Sequence, residues 1–229
     1  MMPQIKKAGM MRRTIASNMQ KSWNTAPKCD YYMKLDAGPM MKCRKRFNEE
    51  HGANVSYLNM VMKAVAVALC EFPEVNATYN SEDNTYILHD SVNVGFAMNV
   101  GGGLMVLCTR DTDKAGMTAL SETTRGLIEK AKARRVENDD VSGSTFTVNN
   151  MGSYRRLEYH SAIINQPESA ILSVYSIVDE PAVVEGTLVV GKRMHVALSA
   201  DHRLIDGGLA CAFLERVCEL LEAPEPLFG

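Results

Sequence analysis

Met11, Ile15, Met19 and Trp23 recur every four residues and lay an apolar stripe along a segment running from Met10 to Asn24, the pattern of an amphipathic helix. Pro27 ends it. Residues 29–36 (CDYYMKLD) alternate loosely and predict a strand. Residues 39–51 form a charged amphipathic helix closed by Gly52. Ser56 is suited to cap a helix reaching about Glu71. Leu58, Val61, Met62, Val65, Ala66 and Leu69 leave that helix little polar face, which predicts deep burial, and Pro73 stops it. Short β-rich runs follow at 85–89, 92–99 and 104–109, the last two separated by Gly101-Gly102-Gly103, which predicts a turn. Residues 118–135 read as a helix, apolar at Leu120, Leu127, Ile128 and Ala131. Its charges, Arg125, Lys130, Lys132, Arg134 and Arg135, predict a solvated face. Strands are expected at 144–150, 170–177, 187–190 and 194–199, and a closing helix at 208–222 with Leu209, Phe213, Val217 and Leu220 on one side. Helices and strands do not alternate strictly, which argues against a Rossmann or barrel fold. The expectation is a single α+β domain over 1–229, with a largely antiparallel or mixed sheet flanked by helices.

Composition narrows the function classes. The chain has 229 residues, 46% hydrophobic and 23% charged, ordinary globular values that exclude disorder, collagen and coiled coil. Twenty-five basic against 27 acidic residues give a net charge of −2, which argues against a dedicated nucleic-acid binder. No apolar run approaches the roughly 18 residues of a membrane span, and the longest candidate, Met60 to Cys70, carries Lys63. The opening MMPQIKKAGMMRR has no apolar stretch behind its basic residues, so no secretory signal is predicted. Six cysteines, at 29, 43, 70, 108, 211 and 218, contain no CxxC pair. They are expected to be buried small hydrophobes in a reducing compartment, with no zinc or other metal site.

Candidate chemistry concentrates in one segment. Gly101 to Gly103 lacks the following Lys-Ser/Thr of a phosphate loop. His51, His89, His160 and His195 show no partner along the chain and are expected at the surface or in packing. His202 differs. A strand leads into Asp201-His202-Arg203, Leu204 and Ile205 bury the next step, and Asp206 precedes a Gly-Gly that opens a helix. Two readings stand side by side: rigid elements aiming side chains at a site, or a polar loop in which Asp206 caps the last helix.

Asp201-His202-Arg203-Leu204-Ile205-Asp206-Gly207 resembles the DHRxxDG signature of the dihydrolipoamide acyltransferases, the catalytic core of the 2-oxo acid dehydrogenase complexes. Their superfamily includes chloramphenicol acetyltransferase. The resemblance extends in order through Met11 to Met19, Pro73-Glu74-Val75-Asn76-Ala77, and Val92 to Ala97 followed by Gly103-Leu104 and Arg110-Asp111. It continues through Gly143 to Thr147, Ile163 to Pro167 and Ala170 to Leu172, and so covers essentially the whole chain. It implies a chloramphenicol acetyltransferase-like mixed sheet flanked by helices, a trimeric building block with active sites between subunits. Coenzyme A would enter from one side as a substrate and a lipoyl group, carried on a separate domain, from the other.

The implied reaction is acyl exchange between dihydrolipoamide and coenzyme A, with acetyl the favoured acyl group and a pyruvate dehydrogenase complex the favoured setting. His202 would be the general base. The resemblance implies a Ser or Thr hydroxyl for the oxyanion where this chain has Asn149. Asn149 can donate through its amide, and Thr147, on the same strand face, is the second candidate. That departure is compatible with a slower enzyme, another acyl preference, or a catalytically weakened core that only scaffolds partner enzymes. Leu107 also departs, standing where proline is usual. Asp206 is expected to pair with Arg12 as structural support. Implied partners are two other subunits of a trimer, a larger cubic or icosahedral core, a lipoyl domain, a 2-oxo acid decarboxylase and dihydrolipoamide dehydrogenase. Neither nucleic acid nor membrane is expected. The expected location is cytoplasmic, or the mitochondrial matrix in a eukaryote. No lipoyl or subunit-binding domain is recognised in the chain. The tail, Ala223 to Gly229, is expected to expose two apolar side chains, either frayed or, as the favoured reading, anchoring a neighbouring trimer.

Overall fold

The structure is a computed structural model that describes residues 3–100 and 103–228. Helix α1 spans Met10–Thr25, strand β1 Lys28–Asp36, α2 Gly38–His51 and α3 Tyr57–Glu71. They are followed by β2 Ala77–Asn80, β3 Thr85–Leu88, β4 Val94–Asn99, β5 Leu104–Thr109 and α4 Met117–Lys132. The chain closes with β6 Phe146–Asn150, β7 Ala170–Val184, β8 Thr187–Asp201 and α5 Gly207–Glu222. Six strands form one sheet in the order β1-β8-β7-β6-β4-β5, with β2 and β3 a separate hairpin. The pairs β4–β6 and β6–β7 are parallel and the rest antiparallel. This is the expected mixed α+β architecture.

Helices α2 to α5 pack over one face of the sheet, with α3 and α5 against each other. Helix α3 is buried along nearly its whole length, as its apolar composition predicts. Its start is fixed by a reciprocal box in which Ser56 Oγ accepts from the Asn59 N–H and Asn59 Oδ1 accepts from the Ser56 N–H. Its one cation, Lys63, is buried too, and donates to the carbonyls of Asp113 and Ala115 at 2.6 and 2.7 Å.

Strand alternation divides the sheet's two faces. Phe146, Val148 and Leu172 belong to the main core, whereas Ile171 joins a small cluster with Ala26, Ala162 and Ile164. Thr147 and Asn149 pair with Ile171 and Ser173 and share that second face. The close packing of β4 against β5 and the entry to β6 requires Gly95: a Cβ there would lie 2.6 Å from Val106 Cγ1 on β5 and 3.1 Å from Ser144 Cβ just before β6. Gly101 and Gly102 lie outside the described residues; the flanking strands pair from Asn99 with Leu104 onward.

Several expectations change. Residues 187–190 and 194–199 are one strand, because the ladder to β7 continues through Gly191, Lys192 and Arg193 despite their interrupting the apolar pattern. The turn at Glu185 and Gly186 has φ of 48° and 78°, the left-handed pair of a tight hairpin. Strand β2 went unpredicted because Thr78, Tyr79 and Asn80 lack alternation. Helix α4 stops at Lys132, with Arg134 at φ 55°; its charged face is solvated, with Lys130 paired to Asp140. The α1 stripe is not buried within the protomer: Met11 and Trp23 are exposed. Cys70 and Cys211 are exposed rather than buried, since each falls on the outer side of its helix. Leu107 is fully buried opposite Phe96. The tail folds onto its own protomer: a short turn at Glu225–Phe228 buries Leu227 completely and lays Phe228 against Phe47.

Candidate active site

The turn between β8 and α5 is pinned at nearly every backbone position. The His202 N–H donates to Pro27 O at 3.0 Å, and the N–H groups of Leu204 and Ile205 both reach Asp201 O. The Asp201 side chain is buried and receives Arg203 through Nε at 3.0 Å and Nη2 at 2.6 Å. Ile205 is fully buried, and Asp206 Oδ1 accepts the Leu209 N–H at 2.9 Å. The capping role of Asp206 is therefore formed. None of the ion pairs among the described residues joins Arg12 to Asp206: Arg12 lies on the exposed first turn of α1, while Asp206 is engaged at the start of α5. From this fixed turn the His202 side chain projects into solvent.

Thr147 and Asn149 lie elsewhere on the sheet. Asn149 pairs with Ser173, and Ser173 with Ala197. His202 is five residues beyond Ala197, about 16 Å at the ~3.3 Å rise of a strand. One protomer thus keeps the imidazole and the predicted oxyanion donors apart.

Asn149 borders a cavity of ≈ 530 Å³ lined by Leu58, Phe96, Met98, Ile128 and Tyr154 among others, with His160 at its edge. His160 is the residue sequence reasoning missed. Its Nε2 lies 3.4 Å from Asn149 Nδ2 and its Nδ1 3.0 Å from Tyr175 Oη. Burial lowers its pKa below the usual histidine value, opposed by Asp30 and reinforced by Lys28. No local spacing announces this contact, because the three residues come from β6, β7 and the segment between them. The other histidines also have partners: His195 meets Glu180 at 3.2 Å, His89 meets Thr78 Oγ1 at 2.9 Å, and His51 stacks on Phe47.

Beneath β6 lies a buried carboxyl. Glu168 Oε1 accepts from Ser144 Oγ at 2.5 Å and Asn165 Nδ2 at 2.8 Å. Burial pushes its pKa up to about 7, against the lowering pull of Ser144, Thr147 and Asn165. Thr147 Oγ1 and Glu168 Oε2 are buried and complete no hydrogen bond of their own. Thr147 is thus a fully buried hydroxyl on the same strand face as Asn149, and it does not line the cavity that Asn149 borders.

A sequence model of the 2-oxoacid dehydrogenases acyltransferase catalytic domain matches residues 3–229. The chain belongs to this family. The succinyltransferase component of the 2-oxoglutarate dehydrogenase complex 1 from Arabidopsis thaliana is 36% identical over 221 residues, covering 95% of this chain and 47% of that protein. The lipoamide acyltransferase component of the branched-chain alpha-keto acid dehydrogenase complex from Pseudomonas putida is 33% identical, covering 95% and 52%. The chain thus spans about half the length of the curated relatives it matches. A probable dihydrolipoamide acetyltransferase from Listeria monocytogenes superposes with a TM-score of 0.90 at 31% identity, covering 96% of this chain and 95% of that one. The Azotobacter vinelandii dihydrolipoamide acetyltransferase, studied for the role of a serine, a histidine and an asparagine in catalysis, gives 0.90 at 27%, covering 99% and 95%. The cubic core of a pyruvate dehydrogenase complex gives the same values. Chloramphenicol acetyltransferase, at 15% identity and TM-score 0.56 over the whole of both chains, shares the fold. The acyltransferase domain has no metal-binding group of three or more His, Cys, Asp or Glu among its described residues. None of its described helices is long and apolar enough to cross a membrane.

Proposed function

We propose that this domain transfers an acyl group between a dihydrolipoyl thiol and coenzyme A, with His202 as the general base. The observation that carries the reading is the turn around His202: its backbone and neighbours are locked while the imidazole is exposed. A thiol with a pKa near 8.5 is a poor nucleophile at neutral pH, and an imidazole within hydrogen-bond reach supplies the missing base. His202 takes the proton of the attacking thiol. That sulfur bonds to the thioester carbon and gives a tetrahedral oxyanion. The carbon–sulfur bond to the departing thiol then breaks, and the imidazolium returns its proton to the departing sulfur.

Asn149 is the oxyanion donor in this reading, because it borders the cavity whereas Thr147 is sealed below it. The separation of His202 from Asn149 calls for two protomers per site, so the domain acts as a trimer, itself a unit of a larger core such as the cubic one of the related pyruvate dehydrogenase complex. Lipoyl domain, decarboxylase and dihydrolipoamide dehydrogenase remain the proposed partners.

The acyl group is proposed to be larger than acetyl, with succinyl first. The curated relatives carry succinyl or branched-chain names, and the cavity of ≈ 530 Å³ beside Asn149 leaves room for such a chain. An exchange assay with succinyl-, branched-chain acyl- and acetyl-coenzyme A and free dihydrolipoamide tests the reading. His202→Ala should lower kcat by about 10²- to 10⁴-fold. Unchanged turnover in that variant overturns the mechanism. No turnover in the parent with any acyl group leaves the scaffold reading, with which an amide in place of a hydroxyl at position 149 is also compatible.

A further inference from the structure

His160, Asn149 and Tyr175 meet in one hydrogen-bonded line at the cavity's edge, and the direction of each bond follows from chemistry. Asn149 Nδ2 can only donate, so His160 Nε2, 3.4 Å away, accepts. A neutral ring that accepts at Nε2 carries its proton on Nδ1, which donates to Tyr175 Oη at 3.0 Å. Tyr175 Oη also accepts the His160 backbone N–H at 2.8 Å and donates to the His160 carbonyl at 3.3 Å. One tautomer of one neutral ring satisfies the whole line.

We propose that His160 is a positioning residue for acyl transfer: neutral and protonated on Nδ1, it holds the Asn149 amide with its NH₂ toward the cavity, where that group donates to the carbonyl oxygen of the bound thioester. The inference rests on the acyl-transfer reading above. Asn149 Nδ2 is held by two contacts, to His160 Nε2 and Ser173 Oγ, both 3.4 Å. These exceed the usual ~2.9 Å, so the hydrogen directed at Ser173 Oγ can turn to a developing oxyanion while the other stays on His160 Nε2 and keeps the amide oriented. An amide turned over would present Oδ1, an acceptor, to that oxygen. An imidazolium has no lone pair for the amide, so protonation would release it. Burial opposes protonation of the ring; of the charges that face it, both on β1, Asp30 favours the imidazolium and Lys28 disfavours it. Tyr175 on β7 is the remaining titratable contact.

Nitrogen-15 NMR of the histidine-labelled chain tests the tautomer, with the resonance lost in His160→Gln assigning His160. The expected result at pH 7 is a neutral ring protonated on Nδ1, titrating below free histidine. Asn149→Ala should raise that pKa, because the donor that stabilises the neutral ring is gone. A ring that is charged, or protonated on Nε2, at pH 7 overturns the proposal whether or not the protein turns over. In the exchange assay His160→Phe keeps the ring volume and deletes the acceptor. It should lower kcat about tenfold and leave the KM for coenzyme A within about twofold. His160→Gln, whose Oε1 can accept from the same amide, should recover most of the loss. Parental kcat in His160→Phe also overturns the proposal. A parent without turnover refutes acyl transfer itself and with it the role in transfer, while the tautomer still decides whether His160 sets the amide.

Discussion

Arg203 folds back onto Asp201, two residues earlier, and both carboxylate oxygens are engaged by its guanidinium, the closest contact being 2.6 Å. The Asp201 side chain is 2% exposed, so this carboxylate depends on its partner. The arginine also lies over the Tyr79 ring, 4.3 Å from its centroid. His202 therefore sits between two residues that close a staple around it.

Removing the arginine should cost stability and activity together. Breaking a buried ion pair from one side leaves an uncompensated charge, typically about 3 kcal/mol. Arg203→Met should therefore lower the unfolding free energy by about that amount. Arg203→Lys should recover little, since an ammonium cannot reproduce the fork. His202→Ala, by contrast, should leave denaturant unfolding unchanged while slowing exchange by about 10²- to 10⁴-fold. Equal stability losses in Arg203→Met and His202→Ala would refute this division of labour.

Glu168 should make the fold sensitive to pH. Its pKa stands at about 7 in the folded chain against 4.5 for a free side chain. Between those values the folded state holds a proton that the unfolded state has lost. The contribution of this group to stability is then full below about pH 4.5 and falls as pH rises toward 7. The loss is on the order of 3 kcal/mol, complete above pH 7, where both states are ionised. Urea unfolding across pH 5 to 8 should show this decline in the parent and not in Glu168→Gln, which keeps an acceptor for Ser144 and Asn165. A parallel decline in both proteins would place the effect elsewhere.

The sequence made different parts of this molecule legible for different reasons. Helices α3 and α5 declare themselves because burial on nearly all sides, or along one stripe, is written locally in the spacing of Leu58 to Leu69 and of Leu209 to Leu220. The His202 turn was legible as a motif, and its cap at Asp206 as a local rule. The Asp201–Arg203 pair, although local, is not legible in the spacing, because burial of Asp201 depends on β1 and β7 on either side. His160 was illegible: its meaning comes from Asn149 and Tyr175, brought together only by the register of β6 and β7. The exposed stripe of α1 shows the opposite limit, since periodicity records that a face is apolar and not what covers it.

The C-terminal residues carry the last expectation. Pro224 and Pro226 disfavour continuation of α5, and the Leu227 N–H closes a turn on Pro224 O at 3.0 Å. Leu227 is then fully buried in the main core, and Phe228 packs on Phe47 with ring centroids 4.6 Å apart. A leucine so placed contributes to its own protomer's stability, whatever the tail also does in a larger particle. Leu227→Ala should cost about 2–4 kcal/mol, the usual range for emptying such a site. Phe228→Ala, at a half-buried position, should cost less. Denaturant unfolding at low protein concentration, read alongside size-exclusion chromatography, separates the alternatives. A stability loss that persists when particles are diluted to their smallest form supports the intramolecular role. A variant that changes particle size yet leaves the unfolding of the dilute form untouched would mean that the tail's contacts within the protomer contribute nothing, and that anchoring between subunits is its whole function.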